Sequence, residues 1–484
     1  MKYFLPILLG FSLVGANAQT SYDVTNRVVL ENEDCQLTKT SLILPVPQSN
    51  NYQTITNLEY SSGQVLDAVN SENKYLRDVK VSDLPGIGES YSLTEHFDVT
   101  LYPMHIDMSQ FETLYPYDTE SDIYKRYTVS KGEYIDIENQ TIQQVSDRIW
   151  SQSNENVLTY AELCYEYVAE NYEYLNPNTG IHPIAEILSD GGGDCGNLAS
   201  IYVNLLRAKK IPAKHIVTVR PDGTYHVWAD FYLENYGWIP VDVNMKLDYP
   251  EGNFFGYCRG DGIVMSEDIC SEVEFDSGEP YNAVLLQNYL FWYWCSSGNR
   301  VETSHRVSST LVSEPPACSV SEVGAEQATI LFPDNSGADA YRVRVFDTAS
   351  LLVAESKVEA SEKSFTVESL SPGTEYWVEA TPLRYVDNIE AQMTTSSISF
   401  TTAEAPTAIE TVSDGAPVIT ATSGKLSVRT SSDSQLSLFT LAGQCIYREK
   451  LASGLVQLTV PEAILILKIT DKDGEVLTQK VNCN

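Results

Sequence analysis

Three consecutive glycines, Gly191 to Gly193, stand directly before Asp194-Cys195. Such a run breaks any regular element and leaves the backbone free to bend and to be approached closely. The next element has a clear start. Asp194 is a good N-cap, and Leu198, Ile201, Tyr202, Leu205 and Leu206 recur at helical spacing. The pattern predicts a helix that opens on Cys195 and stops before Ile211-Pro212-Ala213. In its first turn, the positive helix end and the unpaired N–H groups favour a thiolate.

Two alternating segments come next. From Tyr225 to Tyr232, His226 and Trp228 share one face. After a turn around Glu234 to Gly237, Trp238, Pro240 and Asp242 share a face of the second segment. A hairpin of this kind sets His226 and Asp242 opposite or diagonal to each other. A cysteine nucleophile needs a base to take its proton, and that base needs a group to orient it. Cys195, His226 and Asp242 are therefore the candidate catalytic residues. Trp228 and Trp238 are the candidate substrate contacts.

These residues resemble the transglutaminase-like family of papain-like thiol enzymes. The resemblance lies in Gly-Asp-Cys-Gly at Gly193 to Gly196 and in Arg207 with Ile211, Pro212 and Ala213. It continues in His226 with Trp228, and in Gly237, Trp238, Pro240 and Asp242. It implies an α+β catalytic core, attack of Cys195 on a carboxamide or ester carbonyl, and a thioester intermediate. His226 would be the base and then the acid, and Asp242 would fix its tautomer. The backbone N–H of Cys195 would supply one oxyanion donor; the second is not placed. Hydrolysis is the expected outcome, since water competes at every site. Cross-linking to an amine, peptide deglycosylation, or a fold retained for non-catalytic binding and scaffolding are the alternatives.

The chain has 484 residues, enough for roughly three domains of about 150 residues. Its formal net charge of −35 repels nucleic acid and anionic lipid, so neither is an expected partner. Residues 1–18 read as a signal peptide: Lys2, an apolar run from Phe4 to Val14, and Ala16-Asn17-Ala18 as the cleavage site. That run is too short for a membrane span. Export to the periplasm, the cell surface or the medium is expected. Nine cysteines leave eight to pair if Cys195 is free; Cys258 with Cys270 and Cys445 with Cys483 are plausible by proximity. The six histidines show no metal-ligand spacing, and no cofactor is expected.

Outward from the site, residues 19–139 read as a β-rich domain with strands at Phe97 to Leu101 and Tyr134 to Ile137, and 140–300 as the catalytic domain. Amphipathic helices run from about Thr141 and Leu158, and a short one from Pro183 to Leu188. The aromatic stretch from Tyr289 to Cys295 is expected to complete the catalytic core. Arg259-Gly260-Asp261 spells an integrin-type tripeptide, short enough to arise by chance. Residues 301–315, rich in serine and threonine, read as a linker. Residues 316–403 resemble a fibronectin type III domain, with Tyr376 as its corner tyrosine, which implies a spacer or adhesive module. Residues 404–484 resemble the C-terminal sorting domains of the type IX secretion route, although Pro461-Glu462-Ala463 stands where those carry Gly-x-Tyr. The expected partners are a protein or peptide substrate, with surface glycan or protein bound through the C-terminal β domains.

Overall fold

In the computed structural model, which describes residues 19–176, 179–313, 317–334, 336–405, 417–422, 424–461 and 463–483, the first strand finds one of its neighbours far along the chain. Thr20–Asn32 lies between Ser90–Leu101 and Val301–Ser313, with Gln53–Tyr60 at the edge. A second sheet runs Leu290–Cys295, Leu37–Val46, Lys74–Lys80, Gln64–Asp67. The two pack face to face: Val28, Leu30 and Leu93 from one meet Leu42, Leu44 and Leu76 from the other. The expected leader, residues 1–18, lies outside the described residues.

Two expectations are corrected here. The segment 301–315 is not a linker: Val301–Ser313 is a strand of the first sandwich, and 314–315 lie outside the described residues. Its serines and threonines hide an edge strand that alternates half-buried and exposed residues along one partner. Leu290–Cys295 pairs with Leu37–Val46 and so completes the same sandwich rather than the catalytic core. The catalytic domain is thus inserted between strands of the N-terminal one. A third correction concerns Tyr134 to Ile137, which forms no strand beyond the single Lys131–Ile135 bridge. The alternation there arises because Ile135 and Ile137 both enter the core while the Asp136 N–H is held by Asn204 Oδ1 at 2.9 Å.

The inserted domain carries four main helices, Gln140–Gln152, Val157–Asn171, Ile184–Asp190 and Cys195–Ala208. Asn139, Asn156 and Asp194 cap three of them through side-chain oxygens. Cys195–Ala208 is buried from Gly196 to Arg207, so it is the central helix, enclosed on all sides rather than along a stripe. It packs on an antiparallel sheet in the order Gly237–Val241, Tyr225–Leu233, Ala213–Val219, Ile263–Glu267. Truncating a core residue such as Leu198 there would cost about 2–5 kcal/mol.

Beyond residue 317, strands Ser319–Ser321, Gln327–Leu331 and Ser364–Glu368 form one sheet. It packs through Ile330 and Val367 on Val343, Val345 and Val378 of a second. That second sheet does not end with the sandwich. Its strand Ile389–Gln392 pairs with Met104–Ile106, which pairs with Tyr257–Cys258 of the catalytic domain. Two further sheets with their own core occupy residues 418–482.

All nine cysteines are free thiols, so neither Cys258 with Cys270 nor Cys445 with Cys483 is bridged. Cys258 is fixed in the strand beside Met104, and the Cys270 thiol donates to Lys131 O at 3.9 Å. Cys445 is exposed while Cys483 is fully buried.

Candidate active site

Glu173-Tyr174 pairs in parallel with Gly192-Gly193, and the glycines are required for it. Gly192 has φ +146°, and a Cβ there would lie 2.0 Å from Glu173 O. Asp194 then starts the helix, its Oδ1 accepting the Asn197 N–H at 3.1 Å. Its Oδ2 accepts the Gly180 N–H at 2.8 Å, and Asn197 Oδ1 accepts the His182 N–H at 3.0 Å. The helix start and the chain that crosses it are thereby one unit, with Cys195 partly exposed between them.

His226 and Asp242 come together as the hairpin predicts. The ladder runs from Leu233–Gly237 to Ala229–Val241, and Asp242 lies one residue beyond it, diagonal to His226. Asp242 is the N-cap of a short helix, Val243–Asp248, and no longer part of the strand. One carboxylate oxygen, Oδ1, accepts the Met245 N–H at 3.0 Å; the other, Oδ2, is 2.7 Å from His226 Nε2. The Cys195 side chain acts on the same ring electrostatically. Burial pushes the His226 pKa down, but Asp242 first and Cys195 second outweigh it and raise it to about 10. Asp242 thereby favours the imidazolium form of His226, the counter-ion that a cysteine thiolate needs.

Of the two tryptophans, Trp228 borders the site: with His226, Asp242 and Met245 it lines a narrow crevice closed by Arg220, Tyr257 and Arg259. Its indole N–H donates to Asp230 Oδ1 at 3.2 Å, and its ring meets Tyr52 edge-on at 5.4 Å. Trp238 is absent from that crevice and stacks instead under Lys214 Nζ, 4.0 Å from the ring centre, beside Tyr127 and Tyr232. Asp261 of the Arg-Gly-Asp tripeptide is held by Arg220 and Arg259 at 3.4 and 3.2 Å. Its carboxylate faces the catalytic domain's own arginines.

One residue that sequence reasoning passed over stands beside the nucleophile. Tyr174 is 45% exposed, and its pKa is raised by partial burial and then by the neighbouring Cys195, Asp194 and Asp248. No local sequence signal marks it: it lies in a strand two residues long that reaches Gly192-Gly193 across an intervening helix. Arg207, by contrast, serves packing: fully buried, it donates to Ala213 O, Val129 O and Asp268 Oδ2. Among the described residues no group of three or more His, Cys, Asp or Glu side chains could hold a metal ion. None of their helices is long and apolar enough to cross a membrane.

Comparison with known proteins points to the same region. The family model of the transglutaminase-like superfamily matches residues 143–243. An uncharacterized protein of Haemophilus influenzae is 24% identical over 243 residues, covering 42% of this chain; the chain spans 63% of that relative's length. A solved structure from Cytophaga hutchinsonii, named as a candidate cysteine protease, is 13% identical with a TM-score of 0.41, over 61% of this chain and 91% of that one. A two-domain fibronectin type III segment of chicken tenascin is 14% identical with a TM-score of 0.18, over 35% of this chain and 98% of that one. Residues 143–243 are a transglutaminase-like core, set within a larger β-rich chain.

Proposed function

We propose that this chain is an exported thiol enzyme that cleaves amide bonds of peptides or proteins through a Cys195–His226–Asp242 triad. The observation that carries the reading is the ring of His226, held at Nε2 by Asp242 at 2.7 Å and raised in pKa by Asp242 and then by Cys195. The thiolate attacks the carbonyl carbon, and the oxyanion is met by the Cys195 N–H at the helix start; Tyr174, which is electrostatically coupled to Cys195, is assigned as the second donor. His226 gives its proton to the leaving nitrogen as the C–N bond breaks. A water then attacks the thioester, His226 takes its proton, and the carboxylic acid leaves with the thiol restored. Trp228 lines the crevice behind His226 and Asp242. The sandwich over 316–403 reads as a fibronectin type III module, since the Tyr376 hydroxyl accepts the Ser371 N–H at 2.9 Å across the corner. With the sorting-like C-terminal domain, it suits a cell-surface setting.

The test is a peptide-library cleavage assay with and without a primary amine, comparing the wild type with Cys195→Ala and reading product masses. Hydrolysis products in both conditions, lost in the variant, are the expected result; amine adducts would make it a cross-linker. Cys295 and Cys445, both exposed, are internal references for iodoacetamide. A Cys195 that reacts no faster than they do at neutral pH removes the proposal. Tyr174→Phe is expected to lower turnover by about 10²–10³, the usual effect of losing one oxyanion donor, while leaving the alkylation rate of Cys195 in place.

A further inference from the structure

The sequence presents the sandwich after residue 316 as a separate spacer, and its contacts with the catalytic domain are not those of a spacer. Val386, Ile389 and Ala391 are buried in the same core as Trp228, Val241 and Phe255. Arg384 donates to Asn51 O at 3.0 Å and lies 3.8 Å from the centre of the Tyr102 ring. Gln110 and the backbone of Glu390 exchange two hydrogen bonds, at 3.1 and 2.9 Å. At the turn that joins the His226 and Asp242 strands, the Asn388 N–H donates to Tyr236 O at 3.1 Å and its Nδ2 to Asn235 O at 2.7 Å.

The main chain of Asp242 is where these contacts matter. Its ladder to the His226 strand ends one residue earlier, at Val241 with Ala229. The Asp242 N–H instead donates to Phe254 O at 3.1 Å, and the Gly256 N–H to Pro240 O at 2.8 Å. The piece 254–258 is therefore the outer support of the Asp242 strand. It is too short to hold its own position, and its far edge is taken by Met104–Ile106: the Ile106 N–H donates to Gly256 O at 2.8 Å, and Tyr257 pairs with His105. That strand is three residues long and is backed in turn by the sandwich, Ala391 opposite Ile106 and Gln392 opposite His105. A continuous line of backbone hydrogen bonds runs from the sandwich to the carboxylate-bearing residue.

We infer that the sandwich over 317–403 is a positioning part of the catalytic unit, and that its strand Ile389–Gln392 fixes Asp242 against His226 through Met104–Ile106 and 254–258. Ile389 and Asn388 are its positioning residues: neither touches the reacting atoms, and both anchor the strand that does the bracing. The inference rests on the thiol-enzyme reading, because the quantity it controls is the Asp242–His226 contact. A loosened brace weakens that contact and lets the imidazolium release its proton at lower pH.

The experiment uses the full chain with ring-labelled histidine and follows His226 by NMR from about pH 5 to about pH 11, a range that brackets its ordinary and raised values, together with the iodoacetamide rate of Cys195 at neutral pH. Ile389→Ala opens a gap at the junction; Ile330→Ala opens an equal one inside the sandwich's own core, where Ile330 is fully buried, and controls for lost stability. In the wild type His226 is expected to keep its proton to about pH 10. Ile389→Ala is expected to lower that midpoint by at least about one pH unit, a tenfold change in the equilibrium, and to slow alkylation several-fold. Ile330→Ala is expected to lower the melting temperature and leave both readings in place. Asn388→Ala, which removes one surface hydrogen bond of the clamp, moves the midpoint less and in the same direction, and keeps the test open should Ile389→Ala fail to fold. Equal shifts in Ile389→Ala and Ile330→Ala, or no shift in Ile389→Ala and Asn388→Ala, overturn the inference while a wild-type midpoint near 10 keeps the enzyme reading. A wild-type midpoint near the ordinary 6.5 overturns both.

Discussion

The central helix carries two triplets of the same type, and their surroundings differ. At its start stand Cys195, His226 and Asp242. Farther along, Ser200 Oγ lies 2.9 Å from His215 Nε2, and His215 Nδ1 lies 3.7 Å from Asp268 Oδ1. His215 is on the strand next to that of His226. What separates the two is charge balance and access. Asp268 is met by Arg207 at 2.8 Å and Lys131 at 3.0 Å. Burial would raise its pKa, yet Arg207 and then Lys131 hold it well below the usual carboxylate range. With the carboxylate already neutralised, burial pushes the His215 pKa down and the ring stays neutral. Among the described residues Asp242 meets no such lysine or arginine, so His226 becomes its cation. Residue types alone do not fix the charge of such a triplet; whether its acid meets a competing cation does.

The sharpest way to break this comparison is to remove one nucleophile-type residue from each triplet. Cys195→Ala should abolish turnover, by about 10⁶ in rate for a residue of this kind, whereas Ser200→Ala should leave turnover within a few-fold. A loss of activity in Ser200→Ala at unchanged stability would end the distinction. Next, Arg207→Met strips Asp268 of one of its two cations in a buried site. Denaturant unfolding should show a loss of about 3–5 kcal/mol, with no change in the pH at which His226 titrates.

A pH series separates the triplets by sign. His226 has a raised folded pKa, so its contribution to stability is complete below about 6.5 and is lost as pH rises through about 10. Asp268 has a depressed folded pKa, so its contribution is present above the ordinary carboxylate value of 3.8 and is lost as pH falls below that value. Urea midpoints measured across the alkaline range should therefore fall in the wild type and fall less in Asp242→Asn. The smallest effect is that of Ser200→Ala itself, which leaves one buried imidazole nitrogen without its partner and should cost about 1–3 kcal/mol of stability.

The site was far more legible in the sequence than the domains around it. Gly192, Asp194, Cys195, His226 and Asp242 each answer a strict local demand: a glycine for a close strand, a carboxylate for a cap, three side chains for one reaction. Tyr174 answers a demand set in space, the pairing of two residues with Gly192-Gly193, which leaves no periodic trace. The same holds for Val301–Ser313 and Leu290–Cys295. Their composition describes a linker and a core segment, but their partners lie near the N-terminus, and strand pairing at that distance has no sequence signature. Trp238 shows a further limit. Sharing a strand face with Asp242 placed it near the site, and the attraction of its ring for Lys214 placed it elsewhere.

The insertion of the catalytic domain into the first sandwich has a consequence for how the molecule is made. Asn26 and His305, joined at 2.6 Å, lie 279 residues apart along the chain. The strand Thr20–Asn32 must remain without its outer neighbour until Val301–Ser313 has been made, more than half of the polypeptide later. Closing so long a loop is slow and exposes an unpaired edge in the meantime. The catalytic domain, whose helices and hairpin are local, is free to form earlier. Once it has formed, residues 289–313 leave it beside the strands they pair with, Thr20–Asn32 and Leu37–Val46.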